Sequence, residues 1–265
     1  MDNRAIGFFD SGIGGLSVLN QAIKIFPREN FIYYADIDNV PYGIKTNNEI
    51  LKYVEGAIKF LINQDVKAIV IACNTATSVC IDKLRNKYKL PIVGMEPAVK
   101  LAIKNNYKKR ILLIATSVTV REKKLNKLLE VIDVRKKVDL IPMSGLVDFA
   151  EREEFETENV EKYLKEEFDK LDLYNYSQII LGCTHFNYFM PVIKKIVPSD
   201  IKLLDGNEGT IKRLYQVLEE NNILGNNKEP YIEYFFSGRQ LQDKKNLDKI
   251  NRLHNRLNNI RKCIE

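Results

Sequence analysis

The chain has 265 residues, 45% hydrophobic and 29% charged, an apolar content that suits one large or two small folded domains and excludes a disordered chain. Eight prolines and thirteen glycines exclude a collagen-like or linker-dominated sequence, and no apolar run approaches the roughly 18 residues that a membrane span requires. The 41 Lys and Arg against 35 Asp and Glu leave a net charge of +6, and +4 of it falls in residues 243–265, which hold seven basic and three acidic residues.

Met1-Asp2-Asn3-Arg4 runs directly into an apolar stretch, without the basic start and long apolar centre of a signal peptide, so the expected location is cytoplasmic. The first predicted strand, 6–9, leads into Asp10-Ser11-Gly12, and Gly12-Ile13-Gly14-Gly15 reads as a tight turn into a helix at Leu16. A G-x-G-x-x-G frame from Gly12 meets Ser17 in its last place and no G-K-[ST] is present, so nucleotide binding has little support. A strand at 31–35 precedes the Pro41-Tyr42-Gly43 loop, and Ile50, Leu51, Val54, Ala57, Ile58 and Leu61 fall on one face of a helix over 48–64. The strand 68–72 ends in Cys73-Asn74-Thr75. After a short strand at 92–94, Gly94-Met95-Glu96-Pro97 reads as a boundary or hinge.

Strands at 111–115, 138–142 and 178–182 follow, and the last ends in Cys183-Thr184-His185. Strands alternating with helical patterns predict parallel sheets covered on both faces. The chain also resembles itself. Residues 114–117 repeat the pattern of 8–11 at an offset of 106, and the run around Cys183 repeats that around Cys73 at an offset of 110. Two similar doubly wound α/β units are therefore expected, related by a pseudo-twofold axis, with the active site in the cleft between them. The first unit comprises 1–96 with returning C-terminal helices from 207–265, and the second comprises 97–206. In the tail, Leu247, Ile250, Leu253, Leu257 and Ile260 recur at helical spacing, while Lys249, Arg252, Arg256 and Arg261 occupy other faces. That pattern predicts a docking helix with a solvated basic side. Its charge alone would suit nucleic acid, but no nucleic-acid-binding motif accompanies it.

In open parallel sheets ligands bind beyond the carboxyl ends of the strands, so Asp10-Ser11, Pro41-Tyr42-Gly43, Cys73-Asn74-Thr75 and Cys183-Thr184-His185 are expected to converge. Four scattered cysteines are too few for a disulfide framework. Cys80 and Cys263 read as small buried hydrophobes, whereas Cys73 and Cys183 carry polar followers and stand at helix starts, where backbone N–H groups favour a thiolate and can hold a carboxylate. His185, two positions beyond Cys183, reads as functional; Asp10 has an alternative role as a helix cap. The spacing of Cys and His suits no metal site. The residues alone leave open an isomerase, a hydrolase with Cys183 as nucleophile and His185 as base, and a non-catalytic amino-acid-binding module.

The motifs Gly7-Phe8-Phe9-Asp10-Ser11-Gly12, Ala72-Cys73-Asn74-Thr75-Ala76, Gly94-Met95-Glu96-Pro97 and Leu181-Gly182-Cys183-Thr184-His185-Phe186 resemble the glutamate racemase family of the cofactor-independent aspartate/glutamate racemase superfamily. The resemblance covers essentially the whole chain, departing at Ala98 and Val118, where glycine is usual. It implies Cys73 and Cys183 as the two acid/base residues, with Asp10, His185 and Glu151 assisting. It implies Asp10, Ser11, Pro41, Tyr42, Gly43, Asn74, Thr75, Thr184 and His185 as substrate-binding residues. Glu151 opens the acidic run Glu151-Arg152-Glu153-Glu154, whose simplest reading is a solvated helix start. Inverting a stereocentre needs one group to remove the α proton from one face and another to deliver a proton to the opposite face. No lysine motif suggests a pyridoxal Schiff base, so no cofactor is expected. The family further implies a homodimer, D-glutamate supply for peptidoglycan, and, by analogy alone, an interaction with DNA gyrase; aspartate racemase is the runner-up within the superfamily.

Overall fold

The computed structural model describes residues 1–104, 109–132 and 137–264. In chain order its elements are β1 (Ile6–Asp10), α1 (Leu16–Ile25), β2 (Phe31–Ala35), α2 (Asn47–Asn63), β3 (Ala68–Ile71), α3 (Asn74–Lys87), β4 (Ile92–Gly94) and α4 (Val99–Lys104). There follow β5 (Arg110–Ala115), α5 (Ser117–Arg121), α6 (Lys123–Val131), β6 (Val138–Pro142), α7 (Gly145–Glu151), α8 (Glu158–Phe168), β7 (Tyr176–Gly182), α9 (Met190–Ile196) and β8 (Lys202–Leu204). The chain closes with α10 (Asn207–Glu220), β9 (Ile232–Phe236), β10 (Arg239–Gln240) and α11 (Lys244–Ile264).

Two sheets result, one ordered β10-β9-β2-β1-β3-β4 and the other β6-β5-β7-β8, and every pairing is parallel except that of β10 with β9. The order β2-β1-β3-β4 recurs as β6-β5-β7-β8, so the self-resemblance of the sequence corresponds to a repeated topology. Asp10 ends β1 and Thr116 directly follows the corresponding β5, while Cys183 directly follows β7 and Cys73 comes after β3 with Ala72 between.

The central strands are buried on both faces, as parallel strands between helices must be. Along β1, Ile6 and Phe8 join one apolar cluster while Phe9 joins another with Ile50, Val54 and Ile58 of α2. The first cluster extends through Leu112, Ile114, Ile179 and Leu181 of the second sheet, giving the two sheets a common core. α2 begins where Thr46 and Glu49 cap each other reciprocally, which satisfies N–H groups the first turn leaves open. Among the described residues no helix is long and apolar enough to cross a membrane.

The C-terminal segment differs from the sequence expectation in one respect. Besides the returning helices α10 and α11, it contributes β9 beside β2, with β10 folded back at the edge. The signal was present in Tyr231-Ile232-Glu233-Tyr234-Phe235-Phe236, rich in aromatic and β-branched residues, ahead of Ser237-Gly238, where Gly238 takes φ +82°. The side chain of Cys263 lies outside the described residues.

Candidate active site

β1 ends at Asp10, which is fully buried. One carboxylate oxygen accepts the Gly12 N–H at 3.0 Å and the Ser11 hydroxyl at 3.3 Å; the other accepts the Thr184 hydroxyl at 2.9 Å. Asp10 thus links the first β-α turn of one sheet to the segment after β7 of the other. It does not cap α1, whose N-cap is Gly15. The Ser11 hydroxyl lies 3.6 Å from Cys73 Sγ, and the Ala76 N–H donates to the same sulfur at 3.4 Å, because Cys73 is the N-cap of α3.

On the other side Cys183 precedes a 3₁₀ turn, Thr184–Phe189, in which every residue is buried. Its Sγ is 3.7 Å from His185 Nδ1, and the opposite ring nitrogen, Nε2, is 2.7 Å from Glu151 Oε1. The same Glu151 oxygen accepts the Ile13 N–H at 2.8 Å. Glu151 ends α7 rather than starting a solvated helix, and its side chain is 18% exposed. The contacts Glu151–His185–Cys183 are thus linked, through Thr184 and Asp10, to the cluster Asp10–Ser11–Cys73.

The glycines of the first turn are selected by close approach. None has a positive φ. A Cβ on Gly12 would overlap the Glu151 carboxylate, and one on Gly14 would lie 2.5 Å from both His185 Nδ1 and Thr184 Oγ1. The loop lets the second sheet's polar groups reach the first sheet's, a role that local sequence reading cannot distinguish from a tight turn. The Tyr33 hydroxyl donates to the Gly12 carbonyl at 2.7 Å and the Tyr188 hydroxyl to the Ile13 carbonyl at 3.2 Å, two supports without a motif to announce them.

The remaining residues divide. Thr75 Oγ1 lies 2.9 Å from Thr116 Oγ1 and 3.3 Å from Thr119 Oγ1, a three-hydroxyl cluster across the two units. The offset that pairs Asp10 with Thr116 is the signal for it. Gly43 lies against Thr116, so close that a Cβ added at this glycine would stand 2.7 Å from the threonine's own Cβ. Tyr42, beside Pro41, is almost fully buried and donates its hydroxyl to Asp36 at 2.6 Å. Asn74 Oδ1 is buried without a hydrogen-bond partner among the described residues. Asn74 lines a cavity of about 290 Å³, together with Met95, Thr119, Ile180 and Gly182; neither thiol lines it. Val118 belongs to the apolar cluster that contains Cys73 and Tyr42.

Burial dominates the electrostatics. Cys73 and Cys183 are only 5% and 6% exposed. Burial pushes the Cys73 thiol well above the ordinary thiol range, and the Asp10 charge pushes it further, outweighing the Ala76 N–H and the Ser11 hydroxyl. The expected thiolate preference at this helix start is thus reversed for Cys73, because one N–H donor cannot replace the lost hydration. Cys183 adds to the same upward push, so the two sulfurs feel each other. Burial raises Asp10 as well, against the opposing pull of His185. For His185 burial disfavours the charge, yet its hydrogen bonds to Cys183 and Glu151 prevail and hold it well above the usual histidine range.

The arrangement offers two thiols, each with its own polar partner, joined through Asp10 and Thr184. Residues 17–214 match the Asp/Glu/Hydantoin racemase family model. Glutamate racemase from Campylobacter curvus is 50% identical over 261 residues, covering 96% of this chain and 98% of the relative. Glutamate racemase 2 of Bacillus subtilis is 44% identical, covering 94% of each chain. The crystal structure of glutamate racemase from Francisella tularensis in complex with D-glutamate superposes with a TM-score of 0.84 at 31% identity, over 96% of this chain and 95% of that one.

Proposed function

The chain belongs to the Asp/Glu/hydantoin racemase family and is an isomerase, an amino-acid racemase, and from that premise we propose that it interconverts L- and D-glutamate with two cysteine thiols. The observation that carries this reading is the pair of matched strand ends: Cys73 with Ser11 and Asp10 on one side, Cys183 with His185 and Glu151 on the other, linked by the Asp10–Thr184 hydrogen bond of 2.9 Å. Relatives named glutamate racemase, at 50% and 44% identity, support glutamate over aspartate.

In one direction the Cys183 sulfur, as thiolate beside a protonated His185, takes the α proton from one face of the amino acid. The electron pair left on Cα is then protonated from the opposite face by the Cys73 thiol. The sulfurs end with their protonation exchanged, so the reverse reaction starts from Cys73. An α proton is very weakly acidic, and donors at helix starts beside Asn74, Thr75 and Thr184 would stabilise charge developing toward the α-carboxylate. The Asn74 oxygen and the Asp10 carboxylate are acceptors suited to the substrate ammonium. Thiols this buried require the two units, 1–96 with 207–265 and 97–206, to part for substrate to enter.

The same reading makes the enzyme a cytoplasmic homodimer that supplies D-glutamate for peptidoglycan and so for cell-wall construction and cell shape. Chiral chromatography of the purified protein with glutamate and with aspartate tests the substrate: rapid racemisation of glutamate is expected. Turnover of aspartate without turnover of glutamate would overturn it.

A further inference from the structure

The basic side of α11 is solvated at Arg252, whose side chain is 61% exposed, but Lys249 and Arg256 are only 24% exposed and are engaged by the rest of the chain. Arg256 donates to Glu156 Oε1 at 2.6 Å and to the Tyr188 carbonyl at 3.3 Å, and its guanidinium carbon lies 4.5 Å from the centroid of the Phe155 ring. Phe155 in turn stacks on Tyr188, centroids 4.9 Å apart at 24°. Lys249 and Arg252 reach Glu153 at 3.5 and 3.4 Å. All three acceptor or stacking residues, 153, 155 and 156, belong to the turn that leaves α7 immediately after Glu151. Tyr188 belongs to the 3₁₀ turn that carries His185.

These contacts close a ring. Arg256 grips the turn after Glu151 on one side and the segment after Cys183 on the other; Tyr188 holds the Ile13 carbonyl, and the Ile13 N–H holds Glu151. Glu151 meets His185 inside that ring at 2.7 Å. On the Cys73 side α11 reaches α1 at Asn20 and Gln21, about two turns beyond the Asp10–Ser11 turn, and among the described residues no hydrogen bond or ion pair joins it to Asp10, Ser11 or Cys73. We propose that Arg256 is a positioning residue for proton transfer at Cys183, fixing the separation of Glu151 and His185 by clamping together the two segments that carry them. This inference rests on the two-thiol reading above.

A merely structural role for Arg256 would loosen α11 and slow both thiols alike. A positioning role is one-sided, and isotope effects separate the two. Each enantiomer of glutamate deuterated at Cα gives up its deuteron to one thiol only, so slowing one thiol raises the primary isotope effect for one enantiomer. Cys73→Ser and Cys183→Ser identify which enantiomer reports on which sulfur. Arg256→Ala is expected to lower kcat by about 10- to 100-fold, the effect of a displacement near one ångström, with KM little changed. Its isotope effect should rise for the enantiomer that responds in Cys183→Ser and fall below the wild-type value for the other, whose deuteron leaves to Cys73 before the slowed step. Arg256→Lys should recover part of the rate, since lysine keeps the charge toward Glu156 but neither the flat stack on Phe155 nor the second hydrogen bond. Glu156→Gln, on the opposite side of the contact, should give the same one-sided change with a smaller loss, and it answers the question if Arg256→Ala fails to fold. Equal isotope effects for both enantiomers, a pattern matching Cys73→Ser, or wild-type kinetics would each overturn the assignment. Full activity in both serine variants would overturn the two-thiol reading instead, whatever Arg256 does.

Discussion

Cys73 and Cys183 occupy matching positions in the two sheets, yet their neighbours differ in charge. Cys73 faces a hydroxyl and a carboxylate, Ser11 and Asp10, while Cys183 faces an imidazole that a carboxylate supports. The two sides are therefore poised differently, although the proposed mechanism asks either to serve as base and as acid. The proposed two-thiol mechanism uses both in each turnover, so Cys73→Ala and Cys183→Ala should each abolish racemisation while the fold survives. In D2O, product formed early should carry deuterium at Cα while recovered substrate carries little, because the proposed mechanism places the proton removed and the proton delivered on different sulfurs. Mass spectrometry of the separated enantiomers checks this. Deuterium appearing equally in recovered substrate would point to a single base.

Among the elements, α11 shows how a helix placed by its apolar stripe can serve several ends. Ile250, Leu253, Leu257 and Ile260 are buried, as their spacing predicts, and the helix docks on α1. His254 lies at that junction, Nδ1 3.2 Å from Asn20 Oδ1 and Nε2 3.1 Å from the Tyr234 hydroxyl. Burial holds its pKa down at about 4. The sign follows from proton counting: between pH 6.5 and about 4 the unfolded chain binds a proton at this position that the folded chain does not, so stability falls as pH drops through that window. A depression of this size corresponds to about 3 kcal/mol. Urea unfolding at pH 7 and pH 4.5 should show the loss, and His254→Gln should flatten that part of the profile. An unchanged pH dependence in the variant would remove His254 as its cause.

For the molecule as a whole, the foot of the first sheet is tied by a buried ion pair. Lys67 Nζ lies 2.5 Å from Glu29 Oε2 and also donates to the Asp2 carbonyl, while Glu29 Oε1 accepts the Gly225 N–H at 2.6 Å. With both side chains almost wholly buried, removing one partner strands the other's charge. Lys67→Met should therefore destabilise the fold by about 3 to 5 kcal/mol. The double variant Lys67→Met, Glu29→Leu should recover much of that, because no uncompensated charge remains. Chemical denaturation of the three proteins checks it; additive losses would contradict the argument.

Whatever depends on short-range pattern and repetition is already legible in the linear chain. Runs of β-branched and aromatic residues mark β1, β3, β5 and β7, the one-face spacing marks α2 and α11, and the two offsets reveal a repeated topology that carries Cys73 and Cys183 to corresponding positions. The partners those residues meet emerge on folding. The Glu151–His185 contact spans 34 positions, Asp10–Thr184 spans 174, and the missing side chains of Gly12 and Gly14 matter because groups from the other sheet take up the space. The same holds for charge. The position of Cys73 at a helix start predicts a thiolate, but desolvation depends on everything packed around the sulfur and reverses that preference. Local propensity is encoded within a few residues; burial and close approach are properties of distant segments brought together, and they exist only in the folded chain.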